Sequence, residues 1–468
     1  MAAAAQAEQP EPDPDSASKA AAAIETPSPF LVEPPLRLLL RLASPNVLAF
    51  LVQATVSIAE VWFVGQLGTI SLAAIALVFP WLMLMQMMAN GAMGGAVTSA
   101  VARAIGSGDK EAAERLAWNA LALAMIAGAL CVVLGNLAAA PVLRGMSSDS
   151  AVYAEALRYA LIVFSGCPLL WSMALLTACL RGTGNMRLPA AVMIAGSLLQ
   201  IPLSGALILG WFGLPQLGIA GAAISILTVA GLSTLILLIA LQRPGSALTL
   251  RLANARVRRD HMGRILRVGL PSILSPVFTV ATISGVNYLV KDFGVSALAG
   301  YGIGSRIEFL LIPMVFGIGV ALNALVGINL GAGDVERAHR IGWTGAGAAA
   351  ALTGSIGTLL ALFPGLWAAP FSNDPAALEA AIRYLQICGP AFLFQGIGMV
   401  LYFGSQGAGR VGWPIVATAL RFVTAIGVGW LLVRGFGLGI DALYFAIALG
   451  MTLYGTATAA ALRLGMWR

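Results

Sequence analysis

Two acidic residues lie within long apolar stretches of this 468-residue chain, and they are the residues best suited to chemistry. Glu60 lies about one turn from the end of an apolar segment, and Glu308 lies about twelve residues into another, near mid-membrane. Carboxylates are costly within a membrane and are usually functional there. Because desolvation favours the neutral form of a carboxyl group, either residue would suit the uptake and release of a proton.

The neighbours of Glu60 predict a polar stripe. Gln53, Ser57 and Glu60 follow one another at steps of four and three residues, which places them on one face of a helix. We expect this face to look into the N-terminal half of the protein and to serve cation coupling. The alternative is a carboxylate near the membrane interface that is solvated or neutralised by a neighbour.

Glu308 has two interpretations. It is either a substrate or coupling residue, or half of a structural ion pair with Arg306 or Arg421, the two arginines inside predicted spans. Gln86 and Asn90, four residues apart on one helix face, are candidates for a substrate cavity. The other candidates for that cavity are Asn287, Tyr301, Arg306, Glu308 and Gln395.

The composition is that of an integral membrane protein. Hydrophobic residues make up 59% of the chain and charged residues 10%, whereas a soluble domain carries about 25% charged residues. A membrane-spanning helix needs about 20 apolar residues, and the apolar runs predict an all-α protein with twelve such helices. They lie near residues 44–65, 71–100, 116–140, 158–181, 188–210, 217–241, 268–290, 296–330, 341–364, 382–405, 413–434 and 441–463.

Other functional classes are excluded by what the sequence lacks. No lysine ends a G-x-x-x-x-G-K-[ST] loop, so the chain has no phosphate cradle of the ATPase kind. His261 and His339 stand alone in charged connecting stretches without an H-E-x-x-H pattern, and we predict neither a metal site nor an enzyme. We likewise expect no cofactor and no nucleic-acid partner.

The chain divides into four predicted parts. Residues 1–36, rich in Ala, Pro, Glu and Asp, are typical of a disordered cytoplasmic tail. Residues 37–241 and 268–468 form two six-helix lobes. Between them lies a basic cytoplasmic linker, residues 242–267, whose pattern favours an amphipathic interfacial helix.

The two lobes repeat each other. Residues 106–109 (GSGD) recur 225 positions later as 331–334 (GAGD), and 182–184 (GTG) recur at the same separation as 407–409 (GAG). Because six spans return the chain to its starting side, the repeats are parallel and their pseudo-two-fold axis runs along the membrane normal. Secondary transporters use such repeats to rock around a central substrate site.

Basic residues indicate the orientation, since they flank short loops on the cytoplasmic side. Most of the 27 lysines and arginines lie in the tail, the even-numbered loops and the C-terminus. We therefore expect a multi-pass protein of the bacterial inner membrane with both termini in the cytoplasm.

Three motifs, in family order and at family spacing, resemble the multidrug and toxic compound extrusion (MATE) transporters. They are residues 57–68 (SIAEVWFVGQLG), residues 180–185 (LRGTGN) ahead of Pro189, and residues 306–308 (RIE) followed by 327–334 (GINLGAGD). The likeness covers roughly residues 37–465. It implies twelve helices in two lobes that form a V, and cation-coupled export of mostly cationic organic compounds.

The sequence departs from this family at the coupling residues. Glu60 stands where the family usually has Asp, and Gln200 and Ser204 stand where one subgroup has Asn and Asp. The acids that other members carry in spans 7 and 10 are absent here. A desolvated sodium ion favours several oxygen ligands and added negative charge, so we expect a proton gradient to drive transport. Gln53, Ser57, Gln200 and Ser204 would surround the coupling carboxylate.

The sequence therefore predicts an antiporter that exports organic, mostly cationic or amphipathic compounds across the inner membrane in exchange for a coupling cation. We expect it to act as a monomer in the lipid bilayer on small organic substrates. The alternative is a flippase for lipid-linked oligosaccharides, from the same broad superfamily. Its pyrophosphate headgroups would call for more cavity arginines than Arg306 and Arg421.

Overall fold

The computed structural model describes residues 29–243, 248–251 and 255–467. These residues build helices and connecting loops, with no strand among them. Twelve helical segments are long and apolar enough to cross a membrane when one bent pair is counted as a single span. The all-α, multi-pass architecture predicted from the hydropathy pattern is therefore confirmed.

We number the spans in chain order, with span 4 bent by 49° at its break. They are Pro35–Gly65, Thr69–Gly106, Lys110–Met146, Ser150–Ser165 with Cys167–Gly182, Arg187–Leu209, Ile219–Gln242, Arg259–Phe293, Val295–Gly331, Val335–Leu362, Pro375–Gly407, Gly412–Gly435 and Ile440–Arg463.

Two spans pass through wider helical turns. Span 2 contains a π-helix at Met87–Met93, and span 11 contains two, at Thr424–Val428 and Leu431–Gly435. Turns of this kind frequently mark functional sites in membrane and soluble helices. The π-helix of span 2 begins beside the larger cavity described below.

The repeated GxGD motif ends one span and starts the next. Gly108 and Gly333 have φ angles of 78° and 84°, a left-handed conformation that glycine adopts without steric cost. The carboxylates of Asp109 and Asp334 each accept a hydrogen bond of 2.8 Å from the backbone amide three residues on. Both aspartates are therefore N-caps, and spans 3 and 9 begin in the same way.

The segments outside the lobes are partly described. Of the predicted tail, residues 1–28 lie outside the described residues, whereas Pro29–Val32 form one helical turn. Span 1 begins at Pro35, so the boundary predicted at residue 36 falls inside the helix. Phe30, which precedes this helix, packs against apolar residues of the second lobe. At the end of the predicted linker, the helix Arg259–Ser272 forms the first part of span 7.

Buried apolar side chains group mainly by lobe. One group, around Trp171 and Leu175, lies in the first lobe, and another, around Tyr384, lies in the second. A further group joins Leu38 of span 1 to Leu322 of span 8. Spans 1 and 8 therefore pack across the boundary between the lobes.

Candidate functional site

Glu60 of span 1 is bonded to span 5. Its Oε1 accepts a hydrogen bond from Gln200 Nε2 at 2.7 Å and another from Ser204 Oγ at 3.2 Å. Ser204 Oγ lies 2.8 Å from Ser225 Oγ of span 6, and both serines are fully buried. A chain of hydrogen bonds therefore connects the carboxyl group to spans 5 and 6.

Glu60 and Gln200 line a cavity of about 350 Å³, which we call the boundary cavity because span 8 of the second lobe also contributes to its wall. Its polar lining consists of Gln53, Ser57, Glu60, Gln86, Asn90, Thr177, Ser197, Gln200 and Ser233. The stripe formed by Gln53, Ser57 and Glu60 thus faces one space, as its helical spacing predicts, and Gln86 and Asn90 reach the same space. Ser204 does not line the cavity: its side chain is buried and reaches the Glu60 carboxyl group and Ser225.

The apolar lining of this cavity is rich in methionine. The methionines are Met83, Met85, Met87, Met173 and Met193. Span 8 of the second lobe adds Ile312, Pro313 and Phe316. Methionine is flexible and polarisable, and it repacks readily around ligands of different shape. The cavity thus combines one carboxyl group with an adaptable apolar wall that both lobes supply.

Aromatic rings from both lobes meet at this cavity. Phe316 of span 8 stacks edge-on against Phe50 of span 1 at a centroid distance of 5.0 Å. It also packs against Phe403 of span 10 at 4.8 Å. Phe50 and Phe316 line the cavity, and Phe403 supports Phe316.

A second cavity, of about 210 Å³, lies within the second lobe. The polar and charged residues on its wall include Asn287, Tyr301, Arg306, Glu308 and Arg421. Four of the predicted substrate residues are therefore brought together, but away from Gln86 and Asn90. The single substrate cavity expected from the sequence is divided between the lobes.

Glu308 is bonded to a tyrosine rather than to an arginine. Its Oε1 accepts a hydrogen bond of 2.5 Å from the Tyr384 hydroxyl. Among the described residues, no ion pair joins Glu308 to Arg306 or Arg421. Each guanidinium lies instead over an aromatic ring, at 5.8 and 5.9 Å from the ring centroid. The structural ion pair considered for Glu308 is therefore not formed.

Gln395, the remaining predicted substrate residue, lies in a separate space. It shares a small cavity of about 20 Å³ with Glu308 and Thr353. Its buried Oε1 has no hydrogen-bond partner among the described residues. The cavity is large enough for a single water molecule. Gln395 is therefore a neighbour of Glu308 and lines neither of the two larger cavities.

Gln406 of span 10 ties the two lobes together, and sequence reasoning missed it. Its Nε2 donates to the Gly91 carbonyl oxygen at 3.0 Å, and Asn323 Nδ2 donates to the Gly95 carbonyl oxygen at 3.0 Å. The Gln406 backbone carbonyl accepts a hydrogen bond from Ser99 of span 2. Gln406 is the next-to-last residue of the helix Phe392–Gly407 and directly precedes the repeated GAG motif at residues 407–409, and that position is the signal that could have found it.

The lobes approach most closely at two glycines related by the repeat. A Cβ added at Gly106 would overlap the Ile328 carbonyl oxygen, and one added at Gly331 would overlap the Arg103 carbonyl oxygen. Residues 103 and 328 are themselves repeat partners, so the same contact occurs twice, once on each side of the pseudo-two-fold axis. Arg103 Nη1 also donates to the Gly407 carbonyl oxygen at 2.8 Å. We call this contact surface the seam.

Two six-span repeats, a cavity at their boundary and a carboxyl group within an apolar span are features of a membrane transporter. A family model described as MatE matches the chain twice, over residues 45–205 and 271–431, once in each lobe. The chain therefore belongs to the MatE family. The resemblance to MATE transporters noted from the three motifs is confirmed.

Relatives and solved structures agree with this assignment. The chain is 29% identical over 414 residues to a probable multidrug resistance protein NorM of Thermotoga maritima, with 86% of each chain covered. It is 28% identical to an FAD transporter of Shewanella oneidensis, covering 79% of this chain and 81% of that one. A multidrug resistance MATE transporter solved in an outward-facing conformation superimposes with a TM-score of 0.85 at 25% identity, covering 93% and 97% of the two chains.

Proposed function

We propose that the protein is a proton-coupled antiporter that exports small organic compounds, mostly cationic or amphipathic, across the bacterial inner membrane. Relatives named as multidrug resistance proteins support efflux of varied compounds. The observation that carries the coupling proposal is Glu60, whose carboxyl group lines the boundary cavity while two neutral side chains donate to it. The protein works as a monomer with both termini in the cytoplasm.

A proton suits this site better than a sodium ion. Glu60 is the one acidic residue on the cavity wall among the described residues. Gln200 directs its amide N–H toward the carboxylate, and Ser204 directs its O–H there. Both partners are neutral, so a sodium ion at this carboxylate would have a single anionic ligand from the described cavity wall. A carboxylate held by donors can bind a proton without rearranging a ligand shell.

Export follows from competition for one charge. While Glu60 is ionised, its negative charge attracts an organic cation into the cavity, whose volume falls within the range of small-molecule sites. When Glu60 takes up a proton from the outside, that attraction disappears and the substrate leaves. Release of the proton to the cytoplasm restores the charge for the next substrate. Each cycle therefore carries a proton inward and a substrate outward.

The flippase alternative is not favoured. A pyrophosphate headgroup requires several cationic partners, because it carries more than one negative charge. The boundary cavity contains no arginine or lysine among its described lining residues, and its one charged residue is Glu60. That wall would repel such a headgroup.

The proposal is tested by efflux of ethidium, a fluorescent organic cation, from proteoliposomes with an imposed proton or sodium gradient. We expect wild-type protein to export ethidium when a proton gradient is imposed. Glu60→Gln is expected to reduce this flux to the level of empty liposomes, since the amide cannot exchange a proton. Efflux driven by sodium alone would contradict proton coupling.

A matched control removes an acid elsewhere. Glu379, at the start of span 10, has a side chain that is 70% exposed, so Glu379→Gln removes the same charge without touching the cavity. We expect its proton-driven efflux to match that of the wild type. Equal loss in both variants would show that the effect of Glu60→Gln is not specific to the site.

A further inference from the structure

The two cavities are repeat partners with different charges. Met83 of the boundary cavity corresponds to Glu308 of the second cavity, and Gly196 corresponds to Arg421, each pair 225 positions apart. Positions that are apolar or uncharged on the wall of the first cavity are thus charged on the wall of the second. Glu60, by contrast, has only small or apolar residues at the equivalent place in span 7. Each lobe therefore has charged residues at positions where the other lobe has uncharged ones.

Positive charge exceeds negative charge on the wall of the second cavity. Its described lining contains Arg306, Arg421 and Glu308 as ionisable residues other than tyrosine. Even an ionised Glu308 balances only one of the two guanidinium groups. Neither arginine forms an ion pair with another described residue, and both lie over aromatic rings. One cationic group thus remains without an anionic partner on the described wall of this cavity.

The Glu308 carboxyl group has a hydrogen-bond partner outside the set of arginines. It accepts the 2.5 Å hydrogen bond from Tyr384, on span 10. Glu308 also lines the small cavity that it shares with Gln395. Arg306 and Arg421 are therefore the cationic hydrogen-bond donors on the described wall of the second cavity.

The rest of this wall suits a planar apolar group. It includes Ile283, Val286, Phe309, Ile447 and Met451, which offer aliphatic and aromatic surface beside the polar groups. An arginine guanidinium binds a carboxylate through two parallel hydrogen bonds. A ligand that fills this space would pair an aromatic body with a carboxylate.

We propose that the second cavity is a binding site for organic anions, specifically aromatic carboxylates, held by Arg306 and Arg421. The inference deepens the proposed function and rests on it for the direction of transport, but not for binding. Substrates of this transporter then extend from cations, which Glu60 attracts, to compounds that carry an acidic group. A dipolar compound can use both lobes.

The test measures binding rather than transport, in nanodiscs and by calorimetry. The probes are 1-naphthoate and 1-naphthylmethylammonium, which share an aromatic body and differ in the sign of their charge. We expect Arg306→Gln and Arg421→Gln each to weaken naphthoate binding by about tenfold or more, the loss typical of a charge-assisted hydrogen bond. Glu308→Gln is expected to strengthen it, because a competing negative charge is removed.

Control variants separate the two sites. Arg434→Gln removes an arginine from the same span as Arg421, but one that pairs with Asp292 at 2.7 Å outside the cavity, so naphthoate binding is expected to change less than about twofold. Glu60→Gln is expected to weaken binding of the ammonium probe and to leave naphthoate unaffected. Arg306→Lys, which keeps the charge, is expected to retain part of the affinity.

Three outcomes would overturn the inference. They are no naphthoate binding to the wild type, binding that Arg306→Gln and Arg421→Gln leave unchanged, or naphthoate binding that is lost only in Glu60→Gln. Naphthoate binding without proton-driven ethidium efflux would instead refute the proposed function and leave this site standing. Ethidium efflux without naphthoate binding would do the reverse.

Discussion

Replacing Gly106 by alanine is expected to open the seam. The added Cβ would overlap the Ile328 carbonyl oxygen, which belongs to the backbone of span 8 and cannot rotate away. The helices must move apart until about 3.5 Å separates the two atoms, and the 2.8 Å hydrogen bond between Arg103 and Gly407 lengthens with them. Overpacking of this kind costs about 1–3 kcal/mol. The ratio of closed to open seam should therefore fall by about 5- to 150-fold.

The assay is the distance between two spin labels. Glu111 and Glu336 occupy repeat-related positions at the start of spans 3 and 9, and their side chains are 66% and 84% exposed. Each is replaced by a labelled cysteine after the four native cysteines are changed to alanine. We expect one short distance in the wild type and an additional, longer one in Gly106→Ala, measured by pulsed electron paramagnetic resonance.

Gly347→Ala is the matched control. Gly347 lies within span 9, and a Cβ added there would meet no atom within 4 Å, so the label distance should stay as in the wild type. The reasoning is refuted if Gly106→Ala keeps the short distance alone, because the contact at Ile328 would then yield without separating the lobes. It is also refuted if both variants change the distance equally.

Three further predictions follow from side chains that donate hydrogen bonds. Gln406→Leu removes the amide that bonds to a span 2 carbonyl, so the open seam should become more favourable by about 1 kcal/mol and the population with the longer label distance should rise. An unchanged distance distribution would show that Gln406 does not stabilise the seam. Ser204→Ala removes one of two donors to Glu60, and we expect proton-driven ethidium efflux to be reduced but retained, unlike in Glu60→Gln. Tyr384→Phe deprives the Glu308 carboxyl group of its hydroxyl donor and should lower the free energy of unfolding by about 1–3 kcal/mol, measured by thermal unfolding in detergent. An unchanged unfolding midpoint would contradict that role for Tyr384.

Local spacing predicted the part of the site that lies on single helices. Gln53, Ser57 and Glu60 line one cavity because helical periodicity alone places them on one face. Their partners on span 5, Gln200 and Ser204, were reached only through the family resemblance. A single sequence does not specify which faces of two spans meet, so the 2.7 Å bond between Gln200 and Glu60 was not derivable from spacing.

Interactions between lobes escaped prediction for a different reason. Gln406 and Asn323 donate to backbone carbonyl oxygens of Gly91 and Gly95, and every residue has a carbonyl group. No residue type on span 2 therefore signals the partner. The division of the substrate residues between two cavities escaped prediction similarly, since it depends on how span 8 packs and places Glu308 away from span 2.

The paired glycine contact at the seam also bears on how this chain arose. A contact that maps onto itself through a two-fold axis is the kind that two identical half-length chains make when they dimerise. In such a dimer one mutation changes both copies, so a carboxylate gained in one half appears in the other as well. Fusion into a single chain releases each half to change alone. Glu60 in one lobe and Arg421 in the other, neither with a charged counterpart across the axis, are differences that a dimer of identical half-length chains cannot hold.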